Sequence, residues 1–358
     1  MQKCLKGIVV SLAFTTGSLM AHAAGVSFTC AADINTDGPA NLCSSIGSIV
    51  GGDYNSIFSN ANASIYIQFA NNGGLGESTT GFLNLVSYSS YLTALKADSS
   101  GDATDTSAIA SLPSSEPSLY SGGSIELTSA LEEAIGLGAG VGTTAGGSAC
   151  FTPGSGGCYN GIITLNDPTD LAILTSGQGY YYGTGPQPAN DYDIFSVIEH
   201  ETDEVLGTSS CIDTGGGSLS DGCAGSTNAS AVDLFRYSAP GTRVLESTTP
   251  GAYFSDNGGA TAIGPDYNTL ANGNDYADFV TNSSTNCVEV QTTNGCLGAA
   301  PDISTDGGSE VTILDAVGYN LKPTSTGPVV PEPNTLALLG SGMLGVGFLV
   351  RRRRTLAA

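Results

Sequence analysis

The chain has 358 residues, with 33 acids against 10 bases and a formal net charge of −23. That balance repels phosphate backbones and excludes nucleic acid as a partner. Glycine, at 50 residues, together with abundant Ser, Thr and Asn, implies many turns and long surface loops.

Residues 1–23 read as a secretory signal. Lys3 and Lys6 are its charged start, Gly7 to Met20 its mostly apolar middle, and Ala21-His22-Ala23 its cleavage site. Its removal takes away Cys4 and one of the 2 histidines, leaving His200. The body, 24–322, keeps every acid except Glu332. Against four bases (Lys96, Arg236, Arg243 and Lys322) its charge is four minus 32, or −28. Such a charge favours solubility outside the cell and is compatible with cation binding. At roughly 300 residues the body is long enough for a large core.

Eight cysteines remain, in near neighbours: Cys30 and Cys43, Cys150 and Cys158, Cys211 and Cys223, Cys287 and Cys296. An even count in an exported chain reads as disulfides, with local loops the simplest pairing. Metal ligation is the alternative, although no C-x-x-C pair exists.

Asp33-Ile-Asn35-Thr-Asp37-Gly38 echoes the start of a calcium loop, and so does Asp302-Ile-Ser304-Thr-Asp306-Gly307. Both lack the closing Glu and also read as Asp- and Gly-rich turns, so Ca²⁺ is a secondary expectation. Ala63 to Phe69 alternates as a strand, with Ile65, Ile67 and Phe69 on one side and Tyr66 and Gln68 on the other. Phe82 to Ala97 has helical spacing through Leu85, Tyr88, Leu92 and Leu95. Ser124 to Leu127 is a short strand, Ser129 to Leu137 a short helix, and Gly161 to Leu165 a β-branched strand. A loop rich in Gly, Pro and Tyr, Ser176 to Asn190, leads into the next segment.

Asp191 to Ser210 reads as one helix. Ile194, Ile198 and Val205 share a face, Asp191 and Asp193 are start signals, and Gly207 is a stop signal. At about 100° per residue, Glu201 falls within that apolar face, with His200 and Glu204 side by side on its flank. A buried Glu needs a partner, and water held by a metal would serve.

The spacing His200-Glu201-x-x-Glu204-x-x-Gly207 resembles the zincin metalloprotease helix H-E-x-x-H, with glutamate in place of the second histidine. The resemblance implies an α+β fold, with a mixed sheet, an active-site helix and a loop-rich C-terminal lobe. It also implies zinc held by His200 and Glu204, with Glu201 as general base. Ser210 stands where the metzincin branch has a third histidine. Asp213, Asp221 and Asp233 are candidates for a third ligand. Asp233 is preferred because it opens an apolar segment able to pack under the helix; capping or pairing with Arg236 is its competing role.

HETDEVLG, DLFRYSAPG, YFSDNGG (Tyr253 to Gly259) and ILDAVGY (Ile313 to Tyr319) together resemble a bacterial family of PEP-CTERM-sorted metalloproteases. In that family H-E-x-x-E is usual. The segment Glu310 to Gly318 would supply the helix and turn beneath the metal, without a methionine turn.

Residues 323–329 are a linker. Residues 330–354 resemble the PEP-CTERM sorting signal: Val330-Pro331-Glu332-Pro333, an apolar Thr335 to Val350, then Arg351 to Arg354. The apolar stretch is short for a permanent span of about 20 residues. The resemblance implies an exosortase partner, a transient inner-membrane anchor, and release to the surface of a Gram-negative bacterium that makes extracellular polysaccharide. The resulting expectation is an exported zinc endopeptidase acting on proteins or peptides. Its rival is a non-catalytic surface or matrix protein on the same scaffold.

Overall fold

The alternation at Ala63–Phe69 is realised as a strand with Ile65, Ile67 and Phe69 buried and Tyr66 and Gln68 partly exposed. It lies inside a four-stranded sheet ordered Val26–Cys30, Ala63–Phe69, Gly161–Leu165, Gly76–Thr79. The first three strands are parallel and Gly76–Thr79 runs antiparallel at the edge. The computed structural model describes residues 25–80, 84–115, 123–169, 178–212, 228–246, 249–270, 274–280, 288–305 and 308–323. Two units divide the chain, Met1–Leu321 and Lys322–Ala358. The signal at 1–23, the linker beyond Pro323 and the sorting segment lie outside the described residues.

Parallel neighbours need a crossover between them. Between Val26–Cys30 and Ala63–Phe69 it contains the helices Leu42–Ser48 and Val50–Ile57. Tyr54, fully buried in the second of these, donates its hydroxyl to the Glu199 carbonyl at 3.0 Å and to Asp203 Oδ1 at 2.6 Å. That contact fixes the crossover against the later helix Ile194–Asp203. Gly161–Leu165 is buried at four of its five positions, as a central parallel strand requires.

The expected helix Phe82 to Ala97 is shorter. Asn84–Ser87 pairs antiparallel with Ser124–Leu127, and the helix covers Tyr88–Asp98. The Ser87 hydroxyl accepts from Ser90 N at 3.1 Å and caps the new start. Leu85, counted into the helical stripe, is instead 64% exposed on the strand. The helix expected over Ser129 to Leu137 stops at Ala134, after a Thr128 cap. Asp33–Thr36 forms a helical turn, and Asn35 Oδ1 there accepts from Cys43 N at 3.0 Å.

Cys30–Cys43 and Cys150–Cys158 are disulfides. Cys211 and Cys296 are also disulfide-bonded, while Cys223 and Cys287 lie outside the described residues.

Among the described residues after 228 the backbone is mostly irregular. It includes a buried turn Val232–Phe235, the strands Arg236–Ala239, Thr242–Arg243 and Tyr253–Phe254, and the helix Ser309–Val317. Within that helix Asp315 is fully buried. Burial, then Asp102 and Asp105, push its carboxyl up to about 8. A carboxyl that ionises near 3.9 when unfolded and near 8 when folded costs stability as pH rises through that window. Asp315→Asn is therefore expected to raise Tm by about 3 °C or more at pH 8 in metal-free buffer, and by less at pH 5. Calorimetry at the two values checks both the gain and its sign.

Candidate metal centre

The segment expected to be one helix begins as a short strand, Asp191–Asp193, paired with Gly179–Tyr181. Asp193 is then the N-cap, with Oδ1 accepting from Ser196 N at 2.9 Å. The α-helix runs Ile194–Asp203 and widens into a π-helical turn over Glu204–Thr208. Ile194, Ile198 and Val205 are fully buried, as their spacing predicts. Gly207 closes the turn at φ 126°, a conformation a side chain would strain. Tyr319, just after the helix Ser309–Val317, donates its hydroxyl to the Leu206 carbonyl at 2.8 Å and anchors the same end.

His200, Glu201 and Glu204 each offer one ligand atom, all within 4.8 Å of one another. Glu201 is 5% exposed. The edge strand crosses directly over it: a Cβ on Gly76 would meet Glu201 Oε1 at 2.6 Å and Val197 Cγ1 at 2.9 Å. Only glycine permits that approach. From the same strand, Ser78 donates its hydroxyl to Glu204 Oε2 at 2.5 Å.

His200 Nδ1 lies 3.0 Å from the Val290 carbonyl, which can only accept, so Nδ1 carries the proton. In the neutral ring Nε2 is then the free lone pair. Backbone-carbonyl orientation of this kind is typical of histidines that ligate metals. Nε2 is 3.6 Å from Glu204 Oε1 and 3.6 Å from Asp278 Oδ1. Ligands at about 2.1 Å around a tetrahedral zinc stand about 3.4 Å apart. The two separations from Nε2 are close to that spacing, while the three groups whose ligand atoms all lie within 4.8 Å of one another are His200, Glu201 and Glu204.

Asp278 carries no sequence motif. It is buried, and Gln291 Nε2 donates to its Oδ1 at 3.0 Å. Gln291 is itself held by its backbone N–H, which donates to Glu310 Oε1 at 2.9 Å. Asp233, preferred from the sequence, is engaged elsewhere. Its Oδ1 accepts from Ser210 Oγ at 2.6 Å, and its Oδ2 accepts from Cys211 N, Ser230 N and Ser230 Oγ at 2.9 Å each. A carboxylate that accepts four hydrogen bonds is tying two loops together and is not available to a metal. Asp213 and Asp221 lie outside the described residues.

Without a metal the charges organise themselves. Burial, then the charge of Glu204, pushes Glu201 well above the usual carboxylate range, so it stays neutral and donates to Glu204. Burial opposes ionisation of Glu204, but hydrogen bonds from His200 and Ser78 outweigh it and keep it charged. Burial also pulls the His200 pKa down, yet Asp278 and Glu204 raise it well above its ordinary value. Burial raises Asp278 to about 7, against the charge of His200.

Residues 329–354 match the PEP-CTERM protein-sorting motif, the signal of exported, exosortase-processed proteins. No curated protein and no solved structure matches the chain. Among the described residues no helix is long and apolar enough to cross a membrane; Thr335 to Val350 lies outside them.

Proposed function

We propose that the body is a zinc-dependent endopeptidase of zincin type, exported and sorted through its C-terminal segment. The observation that carries this reading is the trio His200, Glu201 and Glu204 on one helix, with Nδ1 of the imidazole engaged by the Val290 carbonyl and Nε2 facing Glu204 and Asp278. His200, Glu204 and Asp278 would hold the metal. Zinc bound there would act as a Lewis acid and lower the pKa of its water. Glu201, buried and beside the charge of Glu204, has the raised basicity that a general base needs near neutral pH. Its neutral form returns the proton to the leaving amine.

Gly76–Thr79 is hydrogen-bonded along one side, to Gly161–Leu165, among the described residues. Its other edge can pair with an extended chain, which would lay a peptide across Glu201. A Gram-negative envelope, a transient inner-membrane anchor and contact with extracellular polysaccharide belong to the same proposal.

A second reading has its own support. Ser78, Glu201 and Gln291 satisfy Glu204 and Asp278 with no metal, as a non-catalytic surface scaffold would require. The pH dependence of zinc binding separates the two. Zinc must displace protons from His200, raised above its ordinary value, and from Asp278, near 7. Apparent affinity should therefore fall about tenfold per pH unit from pH 8 to 6 for the proton on His200, and by about a further tenfold in total, mostly below pH 7, for Asp278. Competition against a fluorescent chelator measures it. Absence of zinc binding at pH 8 would leave the scaffold reading.

A further inference from the structure

We propose that Asp53, Glu199 and Asp302 form a second metal site, for a structural divalent cation of the calcium class. These three carboxylates come from the crossover helix Val50–Ile57, the helix Ile194–Asp203 and the loop before Ser309–Val317. Each offers an oxygen, and all three lie within 4.8 Å of one another. Around the helix the proposed zinc ligands His200 and Glu204 stand about 100° and 140° from Glu199, so this site lies on a different face from the zinc centre.

Acidic clusters are common on so acidic a chain, and the cluster alone would mean little. The buried member distinguishes it. Glu199 is 1% exposed. Its Oε2 accepts from Ile303 N at 3.2 Å, while Oε1 is buried with no hydrogen-bond partner. The charged groups acting on it are Asp302, Asp203 and Asp53, all of them acids. A desolvated carboxylate oxygen with acidic neighbours and no donor is costly. A cation bound between the three carboxylates removes that cost.

The donors are all oxygen, which selects a hard ion over zinc. Asp53 and Asp302 are only half-buried, so water can complete the six to eight ligands that calcium accepts. Magnesium demands stricter octahedral geometry, which three separate chain segments are poorly placed to supply. Asp302 opens the stretch that echoes a calcium loop, but the fold uses it differently. Asp302 Oδ1 accepts from Ser304 N at 2.7 Å, and the other carboxylates come from distant segments rather than from later loop positions. Bound calcium would tie the crossover helix and the Asp302 loop to the helix that carries His200.

The experiment uses the exported mature protein, dialysed free of metal, with thermal melts at increasing CaCl₂ and NaCl-matched ionic strength. At calcium about 100-fold above its Kd, wild-type Tm should rise by about 5 °C. Glu199→Gln should melt at or above metal-free wild type, because it replaces a buried carboxyl that has no donor on Oε1 with a neutral amide of the same shape, yet lose the calcium gain. Asp302→Asn, at a half-buried position, should lose the gain as well. No calcium-dependent gain in wild type, or a full gain in both variants, would overturn the site. An equal gain from MgCl₂ would overturn the calcium assignment. Zinc content, measured separately by elemental analysis, reports on the other centre, so either reading can fail alone.

Discussion

Glu201→Gln is expected to lower peptide hydrolysis by at least about 10²-fold while the protein still binds one zinc. The substitution keeps shape and hydrogen-bonding length. In the metal-free protein Glu201 is already neutral and donates to Glu204, and a glutamine amide can make the same donation. Folding and the ligand set should therefore survive. What is lost is the capacity to accept a proton beside the bond being cut, and no other group takes over that role. Glu204 and Asp278 would be committed as ligands, and His200 Nδ1 is committed to Val290. Initial rates and zinc stoichiometry on the same preparation test both halves of the expectation.

His200→Ala is expected to abolish zinc binding outright, since it removes the imidazole on which the site is built. The effect should reach beyond the metal. His200 is the cation that Asp278 and Glu204 face at 3.6 Å, so its loss leaves two buried carboxylates opposed. Tm should fall by several degrees at pH 6 to 7. Asp278→Asn should weaken zinc by tenfold or more and leave the fold nearly intact. Asp233→Asn should do the reverse: zinc affinity holds, while stability drops by about 1–3 kcal/mol as donors from Ser210, Cys211 and Ser230 lose their acceptor. Titration calorimetry with zinc, together with thermal melts, separates the three variants.

Much of this arrangement was legible in short-range pattern. Alternation at Ala63–Phe69 and the four- and seven-residue spacing of Ile194, Ile198 and Val205 report directly on which face is buried. The placement of Glu201 in an apolar stripe, beside His200 and Glu204, needs only the helical period. Boundaries were less legible. Leu85 fits a helical stripe, but pairing of Asn84–Ser87 with Ser124–Leu127 outweighs a helical propensity that Ser87 interrupts by capping. The helix Val50–Ile57 contains two glycines and is held by Tyr54 and the sheet, so little in its own residues announces it.

The proposed third ligand shows the limit most clearly. Asp233 and Asp278 are both carboxylates set among apolar residues, and local sequence cannot rank them. Only the path of the loop that brings Val290 and Gln291 against His200 does so. Asp302 is the complementary case, because its motif pointed to a cation while its partners lie in helices far away in sequence.

Peptide cleavage by the zinc-loaded mature protein, read by mass spectrometry on a mixed peptide library beside Glu201→Gln, tests the central claim most directly. The account predicts new internal termini with wild type, lost on chelation, restored by zinc and absent with Glu201→Gln. Cleavage that survives chelation, or identical spectra for the two proteins, would contradict it.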